Sequence, residues 1–300
     1  MKQLRLHIYI VLGFFLVTFI LGSFFDEAVS QAIYSNKNTF GLIISVIGTL
    51  PGYGMFALMG GGFLALGLRK DAKVWLKVLF IILGVGLTLL GVYFSGREFF
   101  GDNGFYWLGV PTFVGYFIAL PVMGGLGFLG YWIVFKSNKE FLWLLFTILA
   151  VAVFMSLVPG VTMLKSIFHR PRFRSLGGEV EFHSWWEPCT NYKLLMEHTG
   201  LANEEFKSFP SGHAGAAAVF MFASLIPLID EKYQKLQLPI FYGGLAWVLL
   251  VAFARILVGA HFLSDVSMGA ILTLICLLIA NEVLIHLKQF KEVKEDSIEK

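Results

Sequence analysis

Charge is what this sequence has least of. Of its 300 residues only 14% are Asp, Glu, Lys or Arg, where a soluble domain carries about 25%. With 57% hydrophobic residues and a mean hydropathy of +0.75, that scarcity excludes a soluble globular chain and leaves no length for a large soluble domain. Cysteine is scarcer still. Cys189 sits in polar sequence and Cys276 inside an apolar run, so a disulfide between them is not expected. No CxxC spacing offers a metal or redox centre. The net charge of +3 is small, and no nucleic-acid partner is expected. The oligomeric state is left open.

Long apolar runs take the place of charge. A bilayer core needs about 20 apolar residues per helix. Eight runs qualify, at 6–25, 40–68, 73–95, 112–136, 140–165, 211–229, 238–259 and 261–287. They predict an all-α, polytopic transmembrane bundle of about eight helices. One membrane domain is expected over 1–290, followed by a charged tail over 291–300. The first run lacks a small-x-small cleavage site and reads as a retained helix. The second is interrupted by "PGYG" at 51–54, which predicts a short interfacial helix followed by a spanning one. Only Gly259 and Ala260 separate the last two runs, so the chain must turn sharply there. "GGLG" at 124–127 is expected to let helices approach closely.

Basic residues orient the chain. With the N-terminus inside, the inner segments are "MKQLR", "RKDAK" at 69–73, "KSNK" at 136–139, "DEKYQK" at 230–235 and the C-terminal tail. Each holds at least two basic residues, whereas the outer loops at 26–39 and 96–111 hold only Lys37 and Arg97. Both termini are therefore expected in the cytoplasm. A bacterial inner membrane is the expected location, though a eukaryotic endomembrane fits the same topology. The long loop at 166–210 falls outside, yet it opens "SIFHRPRFRS". Arginines on the wrong side call for a job other than orientation. "SWWEPC" at 184–189 suits the interface, where Trp is favoured.

Three clusters fall at helix ends on that outer face. Lys165 and Arg172 leave the fifth run, with His169, Arg170 and Arg174 among them. Ser211, Gly212 and His213 enter the sixth. Arg255, His261 and Asp265 span the turn between the seventh and eighth. A helix start presents unpaired amides and the positive end of a dipole, which favours an anion. Ser211 suits the N-cap, and Gly212 lets backbone approach an oxyanion. Lys165, Arg172 and Arg255 add cations, and arginine forks match phosphate oxygens. His261 and Asp265 are four apart and share a helix face, so the carboxylate can hold one imidazole nitrogen while the other attacks. His213 can protonate a leaving oxygen. Each residue alone has a plainer reading: Arg255 snorkels, His213 caps or packs, and His261 with Asp265 is a structural pair. Their conjunction on one face favours a phosphate site.

These residues resemble the type 2 phosphatidic acid phosphatases, the PAP2 family, which is related to the vanadium haloperoxidases. The family pattern has three parts. Lys, six residues, Arg-Pro is met by Lys165 and Arg172, with Phe173 in place of the Pro. Pro-Ser-Gly-His is met in full by Pro210 to His213. Ser-Arg, five residues, His, three residues, Asp is met by Arg255, His261 and Asp265, with Ala254 in place of the Ser. The likeness extends over about 140–285. It implies a six-helix core, here preceded by two extra helices in the N-terminal half. It also implies a membrane phosphatase acting on a lipid phosphate such as polyprenyl pyrophosphate, phosphatidylglycerol phosphate or phosphatidic acid. In that scheme His261 is the nucleophile, Asp265 orients it and His213 is the general acid. Lys165, Arg172, Ser211, Gly212 and Arg255 hold the phosphoryl oxygens. No metal and no cofactor are expected. Competing readings are a lipid-linked phosphotransferase using the same histidine chemistry, a non-catalytic transporter or scaffold for anionic lipid, and a metal site built from His213, His261 and Asp265.

Overall fold

The computed structural model describes residues 2–36, 38–70, 73–100, 109–136, 141–229 and 231–298. Among these the chain is all-helical, with no strand. Lys37, residues 71–72 and 137–140, and residues 101–108 of the second outer loop lie outside the described residues.

Among the described residues, seven helical segments are long and apolar enough to cross a membrane. The first is α1 (Lys2–Ile33). The second joins α2 (Thr39–Gly48) to α3 (Leu50–Gly67). Then come α4 (Val74–Phe100) and α5 (Phe113–Lys136). The fifth joins α6 (Phe141–Met155), a π-helical stretch (Ser156–Met163) and α7 (Leu164–Phe168). The last two are α10 (Gln237–Leu257) and α11 (Leu263–Ile298). Between α7 and α10 lie α8 (Tyr192–Thr199) and α9 (Gly212–Val219).

Three sequence expectations change here. The sixth run is not a full-length α-helix. Alpha geometry holds only for α9, and Phe220–Ile229, with Pro227 inside, continues as a 3-10 helix. A 3-10 helix rises about 2.0 Å per residue instead of 1.5, which lengthens a segment too short to span as α-helix. The first helix is also longer than its run. It carries on through "DEAVSQAI", where the sequence suggests a loop, because Asp26 and Ser30 are buried and not solvated. Finally, the break near "PGYG" falls at Thr49. Pro51 lies in the first turn of α3, where its missing N–H costs nothing.

Glycines bring α3 and α5 together, but only in part those expected. A Cβ at Gly61 would come within 1.7 Å of the Gly127 carbonyl, whereas Gly124 and Gly125 face open space. A second close approach seats α9. A Cβ at Gly52 would come within 1.8 Å of the Ala216 carbonyl. Gly52→Ala should therefore push α9 off α3 and destabilise the fold by about 1–3 kcal/mol. Thermal melting in detergent checks this. An unchanged midpoint would mean that the two backbones do not touch.

Alpha1 packs along α11, and α3, α4 and α5 pack on one another. Alpha9 is enclosed by α3, α10 and α11. Successive spans alternate in direction, so the end of α1, the end of α4, α7, the start of α9, the end of α10 and the start of α11 share one face. Every candidate residue singled out from the sequence lies there.

Candidate active site

The segment between α7 and α9 is folded, not slack. Val180, Cys189, Leu195 and Phe206 form a small core of their own. The Arg174 guanidinium and the Ser175 hydroxyl both donate to the Glu205 carboxylate. Burial alone would raise that carboxyl, but the Arg174 hydrogen bonds, the charges of Arg172 and Arg174, and Ser175 outweigh it and hold it at about 2. This pins the segment with an ion pair that stays charged at any physiological pH. Phe173, standing where the family pattern has Pro, packs its ring 5.2 Å from Tyr34 and 6.1 Å from Phe262. Trp185 donates its Nε1–H to Ser23 Oγ of α1 at 2.9 Å, while Trp186 stays exposed.

Lys165 is positioned by the π-helical stretch before it. Pro159 has no N–H and would clash with a carbonyl one α-turn back. Widening the helix accommodates the ring, and such bulges recur at functional sites. The Lys165 ammonium donates to the Lys207 carbonyl at 2.8 Å. A Cβ built on Gly212 would lie 3.6 Å from Lys165 Cε and 4.0 Å from Nζ, so the glycine leaves open the space beside the ammonium. Ser211 is the N-cap of α9, its Oγ accepting from Ala214 N at 3.3 Å. Its own N–H donates to the Asp265 carbonyl at 2.9 Å, which ties the start of α9 to the start of α11.

The turn between α10 and α11 places the second histidine. Gly259 has φ 63°, a left-handed conformation that suits glycine, and the amides of Ala260 and His261 both donate to the Arg255 carbonyl. His261 is fully buried. Its Nδ1 lies 2.7 Å from the Ser208 carbonyl. A carbonyl only accepts, so Nδ1 carries the proton and Nε2 the lone pair. Nε2 has no hydrogen-bond partner among the described residues. The charges acting most strongly on this imidazole are Lys165, Arg255 and Arg172.

Asp265 holds this arrangement less directly than the sequence suggests. Its Oδ2 lies 3.7 Å from His261 Nδ1, beyond hydrogen-bond reach. It accepts instead from the Ser208 hydroxyl and from Phe262 N at 2.8 Å, and Oδ1 accepts from Arg170 Nη1 at 2.6 Å. Asp265 thus fixes Ser208, and the Ser208 carbonyl fixes the imidazole. Arg170 is neither solvated nor a head-group contact. It is 1% exposed and bridges Asp265 to Asp26 of α1, the latter at 2.9 Å. Asp26 also accepts from the amide and hydroxyl of Ser264.

His213 sits across the site, its ring centroid 6.3 Å from that of His261. Its Nε2 lies 3.3 Å from Oε2 of Glu98 on α4. Lys165, Arg172, Gly212, His213 and Glu98 line one cavity of about 300 Å³. Arg97, Glu204 and Lys207 add to its polar lining, and Tyr53, Phe56, Phe94, Leu157, Val158 and Val161 to its apolar lining. Arg255 and His261 are fully buried and do not line it. All eight residues singled out from the sequence therefore gather at one end of the bundle. Sequence reasoning missed Asp26, Glu98 and Ser208, and it named Arg170 in the first cluster without its carboxylate partners. For the two carboxylates a signal existed, because an ionisable residue in an apolar helix has a purpose by default.

Comparison with known proteins agrees with the residues. A family model described as the PAP2 superfamily matches residues 140–287. No curated protein and no solved structure matches the chain.

Proposed function

Residues 140–287 form a PAP2 superfamily domain in a chain that carries the long apolar helices of an integral membrane protein, and from that premise we propose that it is a phosphatase acting on a lipid phosphate monoester or pyrophosphate. The observation that carries this reading is the state of His261. A buried imidazole with its Nδ1 proton given to a carbonyl and its Nε2 lone pair unengaged is prepared for attack. Three cations stand around it to meet an anionic phosphoryl group.

In this reading the His261 Nε2 lone pair forms a bond to phosphorus as the phosphorus–oxygen bond to the leaving group breaks. His213 gives its proton to the departing oxygen. Water then attacks phosphorus, losing a proton to His213, and the phosphorus–nitrogen bond breaks with its electrons returning to Nε2. Lys165, Arg172, Arg255 and the amides at the start of α9 stabilise the phosphoryl oxygens throughout. The cavity's apolar lining residues suit a lipid and its charged ones suit a head group. Polyprenyl pyrophosphate, phosphatidylglycerol phosphate and phosphatidic acid are the candidate substrates. The site would face outward at the membrane surface, with both termini in the cytoplasm.

The test is phosphate release by the purified protein in detergent from those three lipids. Release from at least one, blocked by vanadate and resistant to chelator, is the expected outcome. Appearance of a phosphorylated acceptor in place of free phosphate would convert the reading to a phosphotransferase. Binding without turnover of any lipid would overturn it.

A further inference from the structure

A general acid in this pocket faces an electrostatic difficulty. His213 must carry a proton, hence a positive charge, beside Arg255 and Lys165. Protonated nitrogen beside two cations is disfavoured. Something anionic must offset them, and among the described residues of 140–287 no carboxylate forms an ion pair with His213. The carboxylate that does so is Glu98, near the end of α4, outside the family-matched segment. Its Oε2 is 3.3 Å from His213 Nε2, and the two side chains are only 11% and 8% exposed. A carboxylate buried that deeply in a membrane helix is costly without a purpose. The groups facing this pair are known from every side. Tyr53 comes from α3, Arg97 from α4, Lys165 from α7, Arg255 from α10 and His261 from the turn before α11.

Resting on the phosphatase reading, we propose that Glu98 is the positioning residue of the acid: it keeps the proton on His213 and aims the imidazole into the cavity. The two histidines are then held in opposite ways. His261 gives its proton to a neutral carbonyl and keeps a free lone pair. His213 Nε2 makes no hydrogen bond of good geometry but stands 3.3 Å from a carboxylate, whose charge favours a proton to give. Glu98 touches neither phosphorus nor water. It acts through His213, from a helix that the three spaced motifs do not include.

Leaving-group chemistry tests this, because only a poor leaving group needs the acid. Dodecyl phosphate departs as an alkoxide unless protonated, and 4-nitrophenyl phosphate departs as a stable phenolate. Glu98→Gln, which keeps the shape and removes the charge, should lower kcat/KM, which reports the step that expels the leaving group, by about 10²-fold on dodecyl phosphate and by less than about threefold on 4-nitrophenyl phosphate. Glu98→Asp should recover part of the alkyl activity. Equal losses on both substrates, or no loss on either, would overturn the role of Glu98 while leaving the phosphatase reading intact. A wild-type protein inactive on every phosphate ester would sink the phosphatase reading itself.

Discussion

Alanine in place of His261 should leave a folded protein that releases no phosphate. The expected loss is about 10⁴-fold or more, the scale seen when a covalent nucleophile is removed from a site whose members act as a unit. The fold should survive. The substitution removes one hydrogen bond, from Nδ1 to the Ser208 carbonyl, and leaves that carbonyl to find another donor, a cost of about 1–3 kcal/mol. The ties that hold the turn do not pass through the imidazole. Phe262 N still donates to Asp265, Ser211 N still donates to the Asp265 carbonyl, and Arg170 still bridges the carboxylates. Activity and thermal melting measured on one preparation separate the two effects. Undiminished release from a protein with a normal melting point would place the nucleophile elsewhere.

Arg170→Met should have the largest effect on stability. The native guanidinium sits between Asp26 and Asp265 with all three side chains buried. It also lies 4.1 Å from the ring centroid of Phe262. Without it two carboxylates from α1 and α11 remain in the interior with their shared cation gone. Breaking a buried pair this way costs about 3–5 kcal/mol, because the desolvation penalty stays while the compensation is lost. Adding Asp26→Leu should return part of that stability, since removing an ion pair whole costs far less than breaking it. Activity should not return with it, because Asp265 would still lack the donor that fixes its Oδ1. A melting temperature unchanged by Arg170→Met would show that these charges are not held in the interior as a set.

The catalytic candidates were legible because their chemistry is written locally. A serine, a glycine and a histidine at a helix start, or a histidine and an aspartate four apart, announce themselves at fixed spacing. The helix pattern was legible for the same reason, since a span is a property of consecutive residues. What stayed hidden depends on which side chains meet across the bundle. Arg170 reads as one more base in a solvated loop until Asp26, 144 positions earlier, is brought against it. Glu98 reads as a polar end to an apolar helix until His213 stands opposite. Asp265 was rightly placed beside His261, yet Ser208 intervenes between them, and no spacing rule announces a backbone carbonyl. The sixth run misled because hydropathy measures greasiness and not rise per residue, so it does not tell α9 from the 3-10 helix that follows.

The partners of Arg170 and His213 also bear on how the chain divides. Similarity to a family ends at residue 140, and a boundary drawn there looks like a place to cut. Yet Asp26 and Glu98, both N-terminal to it, stand within ion-pair distance of Arg170 and His213 inside the matched segment. A fragment beginning at residue 140 would hold every motif residue, yet Arg170 would keep Asp265 and lose Asp26, and His213 would lose the carboxylate beside it. The boundary of likeness and the boundary of electroneutrality do not coincide, and for a chain embedded in lipid the second is the one that limits dissection.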